Sequence, residues 1–467
     1  MSELNRPQTS PLQAAAANLL ERSLRLSEYK NLLVIADPAA LDVAEIVLTE
    51  ARRRAIYAVC VYAPRSQQAA YVAGDELPPT LLEAIHSADG VLSCLADKPD
   101  YMPFRRAVLD ASTTRFTRTV HAPGLTLKTL SAAAVDFDLI QRRCSELALP
   151  LVMGRKLEIH STDHLGNSHR LVATLPGWDG PPVISDGVVA EGRWGNLPPG
   201  ETFIFPAGGD GAIAINGSLP DMVLQGMEST VLHFEHGHLT HWWPETGAAT
   251  RHLFATQLDA ARAAGDPNWS YLAEIGFGVN PAIETLLGVQ LHDEKKAGTV
   301  HIALGGNDIL GGHVESRIHC DLVVERPTVL VDGQPLLEHG AFCIDMSKWL
   351  LDVHELQNGN LGSPPAGWWQ HVSAVHRTVA RADHHEGRLH RIWMLKSGRR
   401  GRLPVGTNRS ARLTARVYDI LPESGAPLEN AELTERAVRA GIPSELVAAC
   451  VWLLLRYDLV RIKGDEP

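Results

Sequence analysis

The segment 271–333 constrains this chain more than any other, because it sets ionisable side chains inside runs that read as buried strands. ESRIHCDLVV places His319 and Asp321 two apart, so both point to one face of an extended strand while Cys320 turns away. The LVV that follows asks for burial, where an unpaired charge would be costly. A metal ion would satisfy both groups; a hydrogen-bonded His–Asp pair inside a core would do so too. Neighbouring runs tip the balance towards a metal. TVHIALG sets His301 in an apolar strand, AEIGFG does the same for Glu274, and GNLPPGETFIFP starts a strand at Glu201 just after a proline–glycine turn. Two imidazoles and three carboxylates are about the donor set of a co-catalytic two-metal centre.

The rest of the chain supports such a centre. A length of 467 residues asks for two or three domains. Strand, helix, strand, helix, strand over 31–95 predicts a parallel sheet flanked by helices, closing near residue 128. Within it Asp37 ends a strand without a glycine fingerprint, so it reads as a strand–helix turn. From 129 to 345 a helix near 135–147 precedes many short strands and a helix near 250–263. The expected fold class is an α/β N-terminal domain plus an α+β metal-binding domain, with a small C-terminal winged-helix-like module. The corresponding spans are 1–128, 129–345 and 346–467, with the module from about 410.

That C-terminal part carries Trp349, Trp368, Trp369 and Trp393, then helix-like stretches at 413–421, 431–440 and 443–457, and a last strand LVRIK. The basic run KSGRRGR at 396–402 reads as a solvated loop. A net charge of −11 disfavours nucleic acid as a partner. The six cysteines lack any CxxC spacing, and no apolar run reaches membrane length, so a reduced, cytoplasmic protein is expected.

Several metal-like or nucleotide-like signals read otherwise. HFEHGHLTHWW, with His233, His236, His238 and His241, has HG between alternating runs and predicts a hairpin. His384, His385 and His390 flank a similar EGR turn. AGGDGAIAING lacks the helix that a dinucleotide loop requires. Asp293 and Glu294 in HDEKKAG read as a solvated turn before a strand.

GNLPPGETFIFP, AEIGFGVNP, GTVHIALGGN and ESRIHCDLVV together resemble successive motifs of the thermophilic metallo-aminopeptidase family, which comprises aminopeptidase T and leucyl aminopeptidase-like proteins. The resemblance spans roughly residues 1–340, with specific motifs from 195 to 333. It implies an N-terminal α/β domain ahead of a metal-binding domain, a homodimer, and metal ligands at Glu201, Glu274, His301, His319 and Asp321. Where that family carries a tyrosine seven residues after the histidine, this chain has Asp308. With His313 and Ser316 of the GGHVES loop, Asp308 is a candidate substrate contact.

The resemblance implies a metal-dependent hydrolase of C–N bonds acting on a peptide or a small amide or amine. It would use one or two divalent ions (zinc, manganese or cobalt), with Glu201 or Glu274 carrying the proton to the leaving nitrogen. Two further chemistries go with the same superfamily. One is hydrolytic deamination of an aromatic amine, as in nitroanthranilate aminohydrolase. The other is iron-dependent ring cleavage, as in 2,5-dihydroxypyridine dioxygenase, where a histidine replaces the AEIG glutamate; Glu274 here favours hydrolysis. A non-catalytic scaffold whose C-terminal module binds a partner is the remaining alternative.

Overall fold

A computed structural model describes residues 10–345, apart from 72–74, 98–100, 114–116, 178–179, 181, 225 and 227. Of the C-terminal part it describes 378–381, 416–422, 428–456 and 460–463.

The first helix begins at Pro11 behind a Ser10–Gln13 capping box and stays helical to Ser23. This is shorter than the apolar spacing over 13–28 suggests, because Arg25 takes a left-handed conformation that ends the helix. Strands β1 (Asn31–Ala36), β2 (Tyr57–Tyr62), β3 (Gly90–Cys94) and β4 (Arg118–His121) are parallel, in the order β2-β1-β3-β4. The helix Leu41–Arg53 lays Val43, Ala44, Val47 and Ala51 against them. Asp37 caps the turn after β1 by accepting from Ala39 N, and it pairs with Arg65. That is the structural role its setting predicts.

The helix Phe137–Met153 leads into β5 (Lys156–Thr162), β6 (Ser168–Thr174) and β7 (Val183–Ser185). Next comes β8 (Trp194–Asn196), which returns to the first sheet as its fifth strand, parallel to β4. The chain continues through β9 (Glu201–Ile204), β10 (Gly208–Ile215), β11 (Ser218–Leu219), β12 (Met222–Val223), β13 (Thr230–Glu235) and β14 (His238–Trp243). After the helical stretch 248–263 follow β15 (Leu272–Gly278), β16 (Thr299–Gly305), β17 (His319–Glu325), β18 (Thr328–Val331), β19 (Gln334–Glu338) and β20 (Ala341–Phe342).

These strands build two sheets, β14-β13-β10-β6-β5-β18-β19-β20 and β12-β11-β17-β16-β15-β9-β7. Ile159, Leu171, Ile213 and Leu232 of the first share one apolar core with Ile275, Phe277, Ile302 and Leu322 of the second. HFEHGHLTHWW forms the β13–β14 hairpin, with His236 and Gly237 both left-handed at its tip as a two-residue turn requires. AGGDGAIAING is strand β10 and its exit.

In the C-terminal part, strands Thr378–Arg381, Leu428–Glu429 and Val460–Lys463 pair, accompanied by helices Asn430–Arg439 and Ser444–Arg456. The KSGRRGR run, the four tryptophans and His384, His385 and His390 lie outside the described residues. Among the described residues no helix is long and apolar enough to cross a membrane.

Candidate metal centre

The second central sheet brings five residues from four distant sequence motifs to one of its faces. In β16–β17, Ala303 pairs with Asp321 and Gly305 with His319. In β15–β16, Gly276 faces His301, and a bulge between Leu272 and Glu274 re-aims Glu274 towards the same side. Gly278 faces Glu201 across β15–β9. Directly paired residues share a face, so Glu201, Glu274, His301, His319 and Asp321 converge.

The small residues among them supply the space. A Cβ on Gly276 would stand 2.1 Å from His301 Nε2, so the imidazole lies directly over that glycine. Buried asparagines fix the frame. Asn280 donates through Nδ2 to Ala132 O and Pro199 O, at 2.9 and 2.8 Å, pinning the turn that delivers Glu201. Asn307 donates to Ala273 O at 3.0 Å and accepts from Val314 N at 2.9 Å, tying the loop after β16 to β15.

Within the cluster, His301 Nε2 lies 3.1 Å from Glu274 Oε1 and 3.6 Å from Glu201 Oε2. His319 Nε2 lies 3.3 Å from Asp321 Oδ1 and 3.7 Å from Glu274 Oε2. The His319 Nδ1–Gly306 O hydrogen bond, 2.7 Å, makes Nδ1 the protonated nitrogen and turns Nε2 towards the carboxylates. Gln290 Nε2 donates to Asp321 Oδ2 at 3.2 Å. Four members are buried, whereas the His319 side chain is 19% exposed and marks the open side.

Residues 293–295 correct the expectation of a solvated turn. Asp293 and Lys295 are wholly buried and Glu294 nearly so. Asp293 accepts from Leu287 N and Gly288 N, each at 2.8 Å, and lies 2.9 Å from His292 Nδ1. Lys295 Nζ donates to Glu201 Oε1 at 2.5 Å and to Glu294 Oε1. The segment can enter because β15 has glycine there: a Cβ on Gly278 would stand 2.1 Å from Lys296 O and 2.8 Å from Glu294 O. The only hint in the sequence was that glycine, since a charged run looks the same whether solvated or buried.

The electrostatics follow from burial and crowding. Burial pushes His301 down, but its hydrogen bond with Glu274 and the Asp321, Glu201 and Glu274 charges outweigh it, raising its pKa to about 9. His319 reaches about 10 against the same desolvation, through Asp321, Glu274 and the Gly306 carbonyl. Burial would raise Asp321, yet His319 and His301 hold it well below the usual carboxylate range. Burial pushes Glu274 up against both imidazoles, and Glu294 well up against Lys295. Burial also works against the Lys295 ammonium, but Glu201 and Glu294 hold its proton firmly.

Four buried atoms, Glu201 Oε2, Glu274 Oε2, His301 Nδ1 and Asp321 Oδ1, have no hydrogen-bond partner; the His319–Asp321 approach is a charge contact without hydrogen-bond alignment. Orphaned carboxylate oxygens beside imidazoles are what a divalent cation would satisfy. Two triplets offer ligand atoms within 4.8 Å of one another: Glu274, His301 and Asp321, and Glu201, Glu294 and His301.

The other candidate contacts have interactions elsewhere. Asp308 pairs with Arg106 at 3.7 Å, and Ser316 Oγ donates to Asp266 Oδ2 at 2.7 Å. His313 is exposed between them in the loop joining β16 to β17.

The sheet and its donor set define a centre able to hold a divalent cation. The fold that carries it is shared with 2,5-dihydroxypyridine dioxygenase from Pseudomonas putida KT2440, at a TM-score of 0.54 and 18% identity over 72% of this chain and 97% of that one. Wild-type AmpT from Thermus thermophilus aligns with a TM-score of 0.49 and 17% identity, over 72% of this chain and 99% of its own. No protein-family model and no curated protein matches the chain.

Proposed function

We propose that the chain is a metal-dependent hydrolase of C–N bonds, acting on a peptide or a small amide or amine. The observation that carries this reading is the carboxylate excess. Glu274, His301, His319 and Asp321 suffice to hold an ion, yet Glu201 and Glu294 are buried beside them. A cation held there would supply Lewis acidity towards water and a bound carbonyl.

The protein's own groups account for the proton traffic. Hydrolysis adds water across the C–N bond, so one proton must travel from water to the departing nitrogen. Glu201 is suited to carry it, because Oε1 is anchored by Lys295 while Oε2 stays unpartnered, 3.6 Å from His301 Nε2. Ring cleavage by dioxygen has no such need for a spare carboxylate. The decisive variant is Glu201→Gln. It is expected to keep its metal and lose hydrolysis by about a hundredfold or more, the scale of a lost general acid–base group. Hydrolysis at the wild-type rate would sink this assignment.

One observation favours a second reading, iron-dependent ring cleavage: the fold shared with the Pseudomonas putida dioxygenase. Oxygen uptake with a dihydroxypyridine and ferrous iron, in the absence of any amide or amine hydrolysis, would place that reading first.

A further inference from the structure

The two ligand triplets differ in one respect. Around Glu274, His301 and Asp321 no lysine or arginine makes an ion pair among the described residues. At Glu201 and Glu294 a buried ammonium already bridges both carboxylates, Lys295 Nζ to Glu201 Oε1 at 2.5 Å and to Glu294 Oε1. Its side chain is wholly enclosed.

This ammonium is built into the frame. Asn280 N donates to Lys295 O at 2.8 Å, Ala297 N to Asn280 O at 3.0 Å and Gly298 N to Gly278 O at 3.1 Å. The turn bearing Lys295 is thereby stitched to the end of β15, close against Gly278. With the backbone so held, swinging the lysine side chain out would break both ion pairs and leave two carboxylates buried without a counter-ion. A second divalent ion at this triplet would have to sit beside a fixed positive charge that already holds one oxygen of each carboxylate.

We propose that Lys295 stands in for a second metal ion, so that the centre takes a single divalent cation at Glu274, His301, His319 and Asp321. The inference rests on the metal-binding reading above and adds the stoichiometry. Glu201 and Glu294 then remain metal-free as a carboxylate pair neutralised by the chain itself.

The test is manganese(II) binding to metal-free, full-length protein, by titration calorimetry and by electron paramagnetic resonance, for wild type, Lys295→Met and Glu201→Gln. The expected result is one equivalent in wild type, still one in Glu201→Gln, and two in Lys295→Met with a spin-coupled manganese pair. Two tight equivalents in wild type, falling to one in Glu201→Gln, would overturn the role of Lys295 while leaving the metal reading intact. One equivalent in a Lys295→Met protein shown to be folded by circular dichroism would overturn it as well. Should Lys295→Met not fold, the wild-type and Glu201→Gln stoichiometries decide between the same outcomes. No binding to any of the three proteins would overturn the metal reading and this inference together.

Discussion

Gly276 shows how finely the centre depends on what is absent. Its missing side chain is the space that His301 occupies, and a Cβ would come within 2.1 Å of Nε2. Gly276→Ala should therefore displace the imidazole, cost about 1–3 kcal/mol from overpacking, and deplete bound metal. Elemental analysis beside thermal unfolding would check this, and a fully metallated variant would contradict it. The titrating residues make a second prediction. In the metal-free fold, His301 and His319 are raised to about 9 and about 10. Their protons stabilise that fold fully below the ordinary imidazole value near 6.5, and the contribution is lost as pH rises through 9 and 10. A cation must displace the same protons, so its affinity should climb with pH, about tenfold per unit for each proton released. Competition titrations with a chelator between pH 6 and 9 would show the slope, and a flat profile would exclude this protonation state.

Among the elements, strands were the legible part. The two-residue period placed His319 with Asp321 on one face, and the flat apolar runs around His301 and Glu274 announced buried neighbours. What pairs with what was not legible, because register joins residues far apart in the chain. The segment 290–296 escaped for the same reason: Lys295 is buried by Glu201, a partner 94 positions away. Its Asp293 can be tested as an element's anchor. Asp293→Ala would strand the Leu287 and Gly288 N–H groups, which now donate to it at 2.8 Å. At about 1–3 kcal/mol for each buried donor left unpaired, the variant should lose several kcal/mol in urea unfolding and bind metal poorly. A loss below about 1 kcal/mol would show that the anchor is dispensable.

For the whole molecule, the centre is a point of linkage, because it gathers β9, β15, β16, β17 and the 290–296 segment. An ion that binds only the folded chain should add about 2.7 kcal/mol at a free concentration a hundred times its dissociation constant. A chelator should accordingly lower the melting temperature of wild type and leave that of His319→Ala unchanged; equal shifts in both would place the ion elsewhere. The N-terminal βαβ alternation was readable in outline, but its fifth strand was not. β8 is three residues long and lies beyond the helix Phe137–Met153, so no local pattern marks it as belonging to the first sheet.

The return of β8 has a practical consequence for anyone wishing to take this protein apart. A fragment ending at residue 128 would leave β4 with a bare edge, open to pairing with other chains. A fragment starting at 129 would carry an orphaned strand five residues ahead of Glu201. β8 ties the first sheet to the chain beyond residue 128, so a cut there divides that sheet instead of freeing a cassette.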